Sequence, residues 1–149
     1  MELWEVEARL GIEDTVGRYV RFADSGHAAE LGGLFSDDGV LATDTATIQG
    51  RSAIVSYLEA ARADLAASAT GGGRIRHHVS SLRIDLVTRD EARATCYFLA
   101  VTAAGPDHWG NYRDRLVRTG SGWRFAERIA TVEGAAAGSW AAERLGPST

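Results

Sequence analysis

The feature that most narrows the fold lies in the second half of the chain. There, three long runs of alternating side chains follow one another with short glycine-containing breaks between them. The runs are Glu91 to Ala103, Trp109 to Arg118 and Trp123 to Val132, and Gly105-Pro106-Asp107 and Gly120-Ser121-Gly122 supply the turn residues. A period of two marks strands, and breaks this short make consecutive strands antiparallel neighbours. A fourth strand, Arg74 to Ile84, comes before them, behind the glycine run Gly71 to Gly73. The meander follows the helical segments instead of alternating with them, so the fold class is α+β and not a parallel doubly wound sheet.

The first half reads as helices around a short hairpin. Val6, Ile12, Val16, Tyr19, Val20 and Ala23 recur at spacings of three and four, with Glu7, Glu13, Arg18 and Arg21 opposite, and Asp24-Ser25-Gly26 closes this helix. A short helix from about His27 to Leu34 and a turn at Phe35 to Gly39 come next, then a hairpin of 40–43 and 45–49. Gly50-Arg51-Ser52 opens a third helix, with Ser52 as its N-cap and Ile54, Tyr57, Leu58, Ala61 and Leu65 as its buried stripe. At 149 residues the chain makes one domain, placed at 1–133. The Ala- and Gly-rich stretch 134–149, anchored only by Trp140, reads as a flexible tail or lid.

Composition removes several function classes. A net charge of −4 gives nucleic acid no basic face to bind. No apolar run is long enough to span a bilayer, and the acidic start Met1 to Glu5 lacks the pattern of a signal peptide, so the expected location is the cytoplasm, away from any membrane. The single cysteine, Cys96, excludes an internal disulfide and, lying within an apolar strand, reads as core. Adjacent histidines point to opposite faces of a strand, and no His-Glu-x-x-His or cysteine pair occurs, so no metal is expected. The glycine run does not lead from a strand into a helix, and no serine sits in a nucleophile elbow. Proton transfer without a cofactor is the chemistry that remains.

Of His77 and His78 only one can face the interior, where a neutral imidazole can act as general acid or base. On the third long strand Tyr112 and Asp114 share a face with Leu116, which turns a carboxyl group toward the core; that is costly unless the group is paired, with Arg83 or Arg128, or protonated. Tyr19, on the apolar stripe, needs a partner for its hydroxyl, and Asp24 either caps a helix or faces the site. The polar set is therefore Tyr19, Asp24, His78, Tyr112 and Asp114, with Tyr57, Phe98 and Thr102 as pocket residues.

Several segments together carry a resemblance. Tyr19 with Asp24 five residues on, Leu34-Phe35-Ser36-Asp37-Asp38-Gly39-Val40, Gly50-Arg51 with Ile54, Arg76-His77-His78-Val79-Ser80 and Gly122-Trp123-Arg124-Phe125 resemble the SnoaL-like branch of the nuclear transport factor 2-like superfamily over residues 5 to 132. The resemblance implies a cone, a curved antiparallel sheet wrapped around a long N-terminal helix. Dehydratases of that superfamily acting on scytalone and on bile acids have a general-base histidine where His78 stands and an assisting aspartate where Asp24 stands. Ketosteroid isomerase has an oxyanion tyrosine at Tyr19 and a protonated oxyanion aspartate near Asp114, a case in which an apolar site keeps the acid neutral. Its catalytic aspartate would fall on Thr43, and the second histidine of scytalone dehydratase, which would fall near Thr102, has no counterpart.

What the resemblance implies is a lyase or isomerase, foremost a dehydratase. It would act without a cofactor on an apolar, carbonyl-bearing, steroid- or polyketide-like substrate, with His78 as base, Asp24 orienting it, and Tyr19, Tyr112 and Asp114 stabilising an enolate. A homo-oligomer, dimer or trimer, is implied by analogy. The alternatives are a non-catalytic small-molecule-binding protein and a structural subunit like the small subunit of ring-hydroxylating dioxygenases.

Overall fold

A computed structural model of the chain describes residues 1–70 and 72–146; Gly71 of the glycine run and residues 147–149 of the tail lie outside the described residues. The elements, in order, are α1 (Leu3–Ser25), α2 (Ala28–Gly32), β1 (Phe35–Ala42), β2 (Thr47–Gln49), α3 (Arg51–Ala67), β3 (Ile75–Leu86), β4 (Glu91–Thr102), β5 (Gly105–Thr119), β6 (Gly122–Ala135) and α4 (Trp140–Leu145). One six-stranded sheet runs β2-β1-β6-β5-β4-β3. Every neighbouring pair is antiparallel except β1 and β6, which run parallel. The sheet is curved and unclosed, and α1 packs against it at β3 and β6. This is the α+β architecture expected from the order of elements.

The core forms because both partners present one apolar face. On α1, Ala8, Ile12, Thr15, Val16 and Tyr19 are buried, a stripe at helical spacing, while Val6, expected on it, is more than one-third exposed. The hydroxyl of Thr15 donates to the carbonyl of Trp123 at 3.0 Å and fastens the helix to β6. Gly26 ends α1 in the left-handed conformation, φ 76°, as the Asp24-Ser25-Gly26 signal predicts. On the sheet, Ala92, Ala94, Cys96, Phe98 and Ala100 of β4 and His108, Gly110, Tyr112, Asp114 and Leu116 of β5 turn inward. Cys96 is core, as expected, and burial raises its thiol pKa to about 11.

Four boundaries differ from the sequence reading. Phe35 to Gly39 is strand instead of turn, because Phe35 pairs with Phe125 of β6. Gly50, not Ser52, stands at the N-cap of α3. β5 begins at Gly105, since Gly105 and Pro106 pair with Thr102 and Val101; the hairpin turn therefore lies before Gly105, and Asp107 and His108 belong to the strand. β6 runs to Ala135, two residues into the stretch read as tail, and residues 140–145 form α4.

Candidate functional site

A cavity of about 880 Å³ opens between α1, α3, α4 and the concave face of the sheet. Its inner wall is mainly apolar, with Phe22, Leu31, Leu58, Phe98 and Val132 among its residues. Tyr57 on α3, His77 on β3, and His108 and Tyr112 on β5 bring titratable side chains to that lining, and Thr43 and Thr45, between β1 and β2, add hydroxyls. The exposed charged residues Asp44, Glu59, Arg62, Asp64, Glu143 and Arg144 also line the cavity.

His77, not His78, faces the cavity. Its side chain is 15% exposed, and His78 lies on the exposed outer face. The cause is a β-bulge. Ser80 pairs with Tyr97 and Arg83 with Thr95, so β3 advances three residues while β4 advances two, and Ser81 takes the positive φ of 54° that absorbs the extra residue. Ile75, His77 and Val79 face inward before the bulge, and Leu82, Ile84 and Leu86 after it. The expectation that His78 enters the site is corrected accordingly.

Asp24, in the last turn of α1, holds His77 twice. Its Oδ1 lies 2.7 Å from His77 Nδ1, and its Oδ2 accepts the His77 backbone N–H at 3.0 Å. A carboxylate can only accept, so Nδ1 carries the hydrogen and Nε2 keeps a lone pair for a bound molecule. The carbonyl of Asp24 in turn accepts from Arg62 and Arg76, at 3.4 and 3.3 Å.

Sequence reasoning missed a second pair of the same kind. His108 Nδ1 lies 2.8 Å from Asp107 Oδ1, and the two imidazoles meet edge to face with centroids 6.3 Å apart. Burial lowers the pKa of His108 below the ordinary 6.5; Asp107 opposes this and His77 reinforces it. His108 is thus a neutral imidazole with Nε2 unprotonated. The signal was in the sequence: stepping back by twos from Tyr112 gives Gly110 and then His108 on one face, but placing a turn at Gly105-Pro106-Asp107 interrupted the count.

The remaining expected residues divide. Tyr57, Phe98 and Tyr112 line the cavity, with Phe98 stacked on Tyr112 at 4.7 Å between centroids. Burial raises the Tyr112 pKa well above 10, so the phenol is a neutral hydrogen-bond donor. Thr102 is buried outside the cavity lining, its hydroxyl accepting the Ala104 N–H at 3.3 Å. Tyr19 is buried behind the wall, edge-on to Tyr112 at 5.9 Å.

Asp114 is not the protonated donor that one resemblance suggested. It makes a two-point pair with Arg128, at 2.8 and 2.7 Å, in which both side chains are wholly buried. Burial opposes the charge of Arg128, but Asp114 more than offsets this, and the guanidinium pKa is raised. Arg128 also rests against the rings of Tyr19, Tyr112 and Phe125, at 4.1, 4.1 and 4.2 Å. The ion pair is the foundation beneath Tyr112, and neither of its members lines the cavity.

No group of three or more His, Cys, Asp or Glu side chains able to hold a metal occurs among the described residues. No helix among them is long and apolar enough to cross a membrane.

Comparison with known proteins fixes the family. No curated protein sequence matches the chain. Among solved structures, a nuclear transport factor 2-like protein with a cystatin-like fold from Novosphingobium aromaticivorans is 29% identical, with a TM-score of 0.75 over 96% of this chain and 91% of that one. A protein of unknown function from Mycobacterium tuberculosis is 26% identical, with a TM-score of 0.75 over 87% of this chain and 73% of that one. A protein named as a candidate scytalone dehydratase from Novosphingobium aromaticivorans shares the fold at 23% identity, TM-score 0.77, over 91% of each chain. The model of the SnoaL-like domain matches residues 4–129, and the chain therefore belongs to the SnoaL-like domain family.

Proposed function

We propose that this protein is a cofactor-independent lyase or isomerase, foremost a dehydratase, that moves a proton on an uncharged, carbonyl-bearing substrate of steroid or polyketide size. The observation that carries this is the Asp24–His77 pair, with Nδ1 at 2.7 Å from the carboxylate, set in the wall of a mainly apolar cavity. An imidazole whose far nitrogen is a fixed acceptor is suited to act as a general base near neutral pH. A lining made mainly of apolar side chains, Phe22, Leu31, Leu58, Phe98 and Val132 among them, favours a neutral substrate over a carboxylate.

In this reading His77 Nε2 removes a proton from the carbon next to the substrate carbonyl. The electron pair moves onto the carbonyl oxygen, to which Tyr112 donates a hydrogen bond; a donor of this kind lowers the barrier by about 3 kcal/mol. The pair then returns to form a carbon–carbon double bond as a hydroxyl leaves the next carbon. That hydroxyl takes the proton from the His77 imidazolium and departs as water, and His77 is neutral again. Delivery of the same proton to a more distant carbon would make the reaction an isomerisation. His108, with Nε2 unprotonated, is placed to accept a hydrogen bond from a substrate hydroxyl.

The test uses the wild type, His77→Ala and His78→Ala against panels of steroid and polyketide ketones, followed by mass and retention time. The expected result is loss of water, or a shifted retention at constant mass, with wild type and His78→Ala but not with His77→Ala. Equal retention of ligands by all three proteins, with no conversion, would sink the catalytic reading and leave a binding protein.

A further inference from the structure

We infer that Asp107 is a positioning residue that ties the docking of α4 over the cavity to the state of His108. Its carboxylate is 1% exposed and accepts three N–H groups. His108 Nδ1 lies 2.8 Å from Oδ1, the Ala141 N–H reaches the same oxygen at 3.1 Å, and the Trp140 N–H reaches Oδ2 at 2.9 Å. The Asp107 backbone carbonyl accepts the Ala136 N–H at 2.8 Å and so fixes the start of the connection from β6 to α4. One side chain therefore completes both the imidazole of His108 and the first turn of the helix above it.

Helix α4 depends on this contact. It has six residues, too few to hold a helix in water on their own. Its first N–H groups find acceptors only outside the helix: Asp107 takes Trp140 and Ala141, and Ser139 takes Ala142 at 3.1 Å. Its outer side is held by Asp64 of α3, which accepts from the Trp140 indole at 3.3 Å and pairs with Arg144. These outer ties are largely exposed, and such contacts are weak. The buried carboxylate is the stronger tie.

His108 feels α4 through burial. Its ring lies 5.7 Å from Phe98, 6.3 Å from His77 and 6.2 Å from Trp140, which covers it from above. Among the described residues, the charged or titratable groups around this set are His77 on β3 with Asp24 of α1 behind it, Asp107 beside it, Tyr112 behind Phe98, and Asp64 and Arg144 at Trp140. When α4 lifts, Asp107 loses two donors and His108 loses the cover of Trp140 and gains water, which weakens the burial that holds its pKa down. With α4 docked, His108 is neutral and its Nε2 is an acceptor in a side chain that lines the cavity; with α4 lifted, it takes up a proton more readily. Closing the cavity would thus set the protonation state of its second histidine. The catalytic consequence rests on the proposed function, but the coupling does not.

The experiment is NMR on the full chain without substrate, so its outcome is separable from that of the turnover assay. In wild type, the His108 nitrogen shifts should report the tautomer with hydrogen on Nδ1. Ala141→Pro deletes one donor to Asp107 at a helix position that tolerates proline; Asp64→Ala loosens the outer ties and serves if the proline variant does not fold. Either should raise the His108 pKa toward 6.5. In the other direction, Asp107→Asn should speed amide exchange at Trp140 and Ala141 by about tenfold or more. Faster exchange in α4 with an unmoved His108 titration would overturn the inference, as would wild-type exchange in Asp107→Asn.

Discussion

Replacing Asp114 with asparagine separates two accounts of the same carboxyl group. Were Asp114 a neutral acid donating a hydrogen bond, asparagine would be close in shape and charge, and the fold would barely notice. Among the described residues it is the only carboxylate hydrogen-bonded to Arg128, and Arg128 Nη1 has no hydrogen-bond partner among them; both side chains are fully buried. Guanidinium stays protonated, so Asp114→Asn leaves an uncompensated cation in the core. The three rings at 4.1 to 4.2 Å stabilise that cation equally in both proteins and cannot make up the difference. Breaking a buried pair from one side costs about 3–5 kcal/mol. For a chain of this length each kcal/mol lowers the melting temperature by about 2–4 °C, so a fall of about 10 °C is expected. Thermal unfolding followed by circular dichroism measures it, with the double variant Asp114→Leu/Arg128→Met as control. Removing both charges should recover most of the loss, because the desolvation cost disappears with the pair. A melting temperature for Asp114→Asn within about 2 °C of wild type would refute the reasoning.

Three further outcomes are expected. Asp24→Asn, which can no longer fix the hydrogen on His77 Nδ1, should lower kcat by about 10²- to 10⁴-fold with KM little changed, once a substrate is in hand; a loss confined to KM would argue against an orienting role. Gly110→Ala would place a Cβ 1.9 Å from the Thr131 carbonyl oxygen, backbone against backbone, and urea unfolding should show a loss of about 3 kcal/mol; a change below about 0.5 kcal/mol would contradict the packing of β5 on β6. His108 has a folded-state pKa below its unfolded value of 6.5, so the unfolded chain binds the extra proton and stability falls as pH drops below about 6.5 toward the folded value. His108→Gln should therefore show a smaller loss of urea midpoint between neutral and mildly acid solution than wild type, and an equal loss would contradict the assignment.

The order of elements was legible because it rests on strong local signals. Helical spacing in α1, the left-handed glycine at Gly26 and the alternation of β4 to β6 each point to one local structure. The site was only partly legible, for reasons that lie in two strands. In β3 a single extra residue at Ser81 reverses which side chains face inward, and nothing in the residue types marks a bulge at a serine. In β5 the sequence carries Pro106 inside a strand, where proline usually signals a turn. A turn at Gly105 to Asp107 and a strand from Trp109 leave His108 unassigned, although β5 counted in steps of two places it on the face of Tyr112. The pairing of Asp114 was open between Arg83 and Arg128. Arg83 sits on the outer, exposed side of the bulged strand with Asp85, so only Arg128 could reach inward.

The double grip of Asp24 on His77 has a consequence for solubility. β3 is one of the two open margins of the sheet, and the His77 N–H is directed onto Asp24 Oδ2. A free amide at such a margin is a docking point for a strand of another molecule, which can seed edge-to-edge association. Asp24 therefore acts as a guard as well as an orienting group, and the two tasks cannot be separated by changing this residue. Loss of the carboxylate opens the margin at the position where the imidazole loses its hold, so self-association and a misdirected imidazole should arise together in any chain altered there.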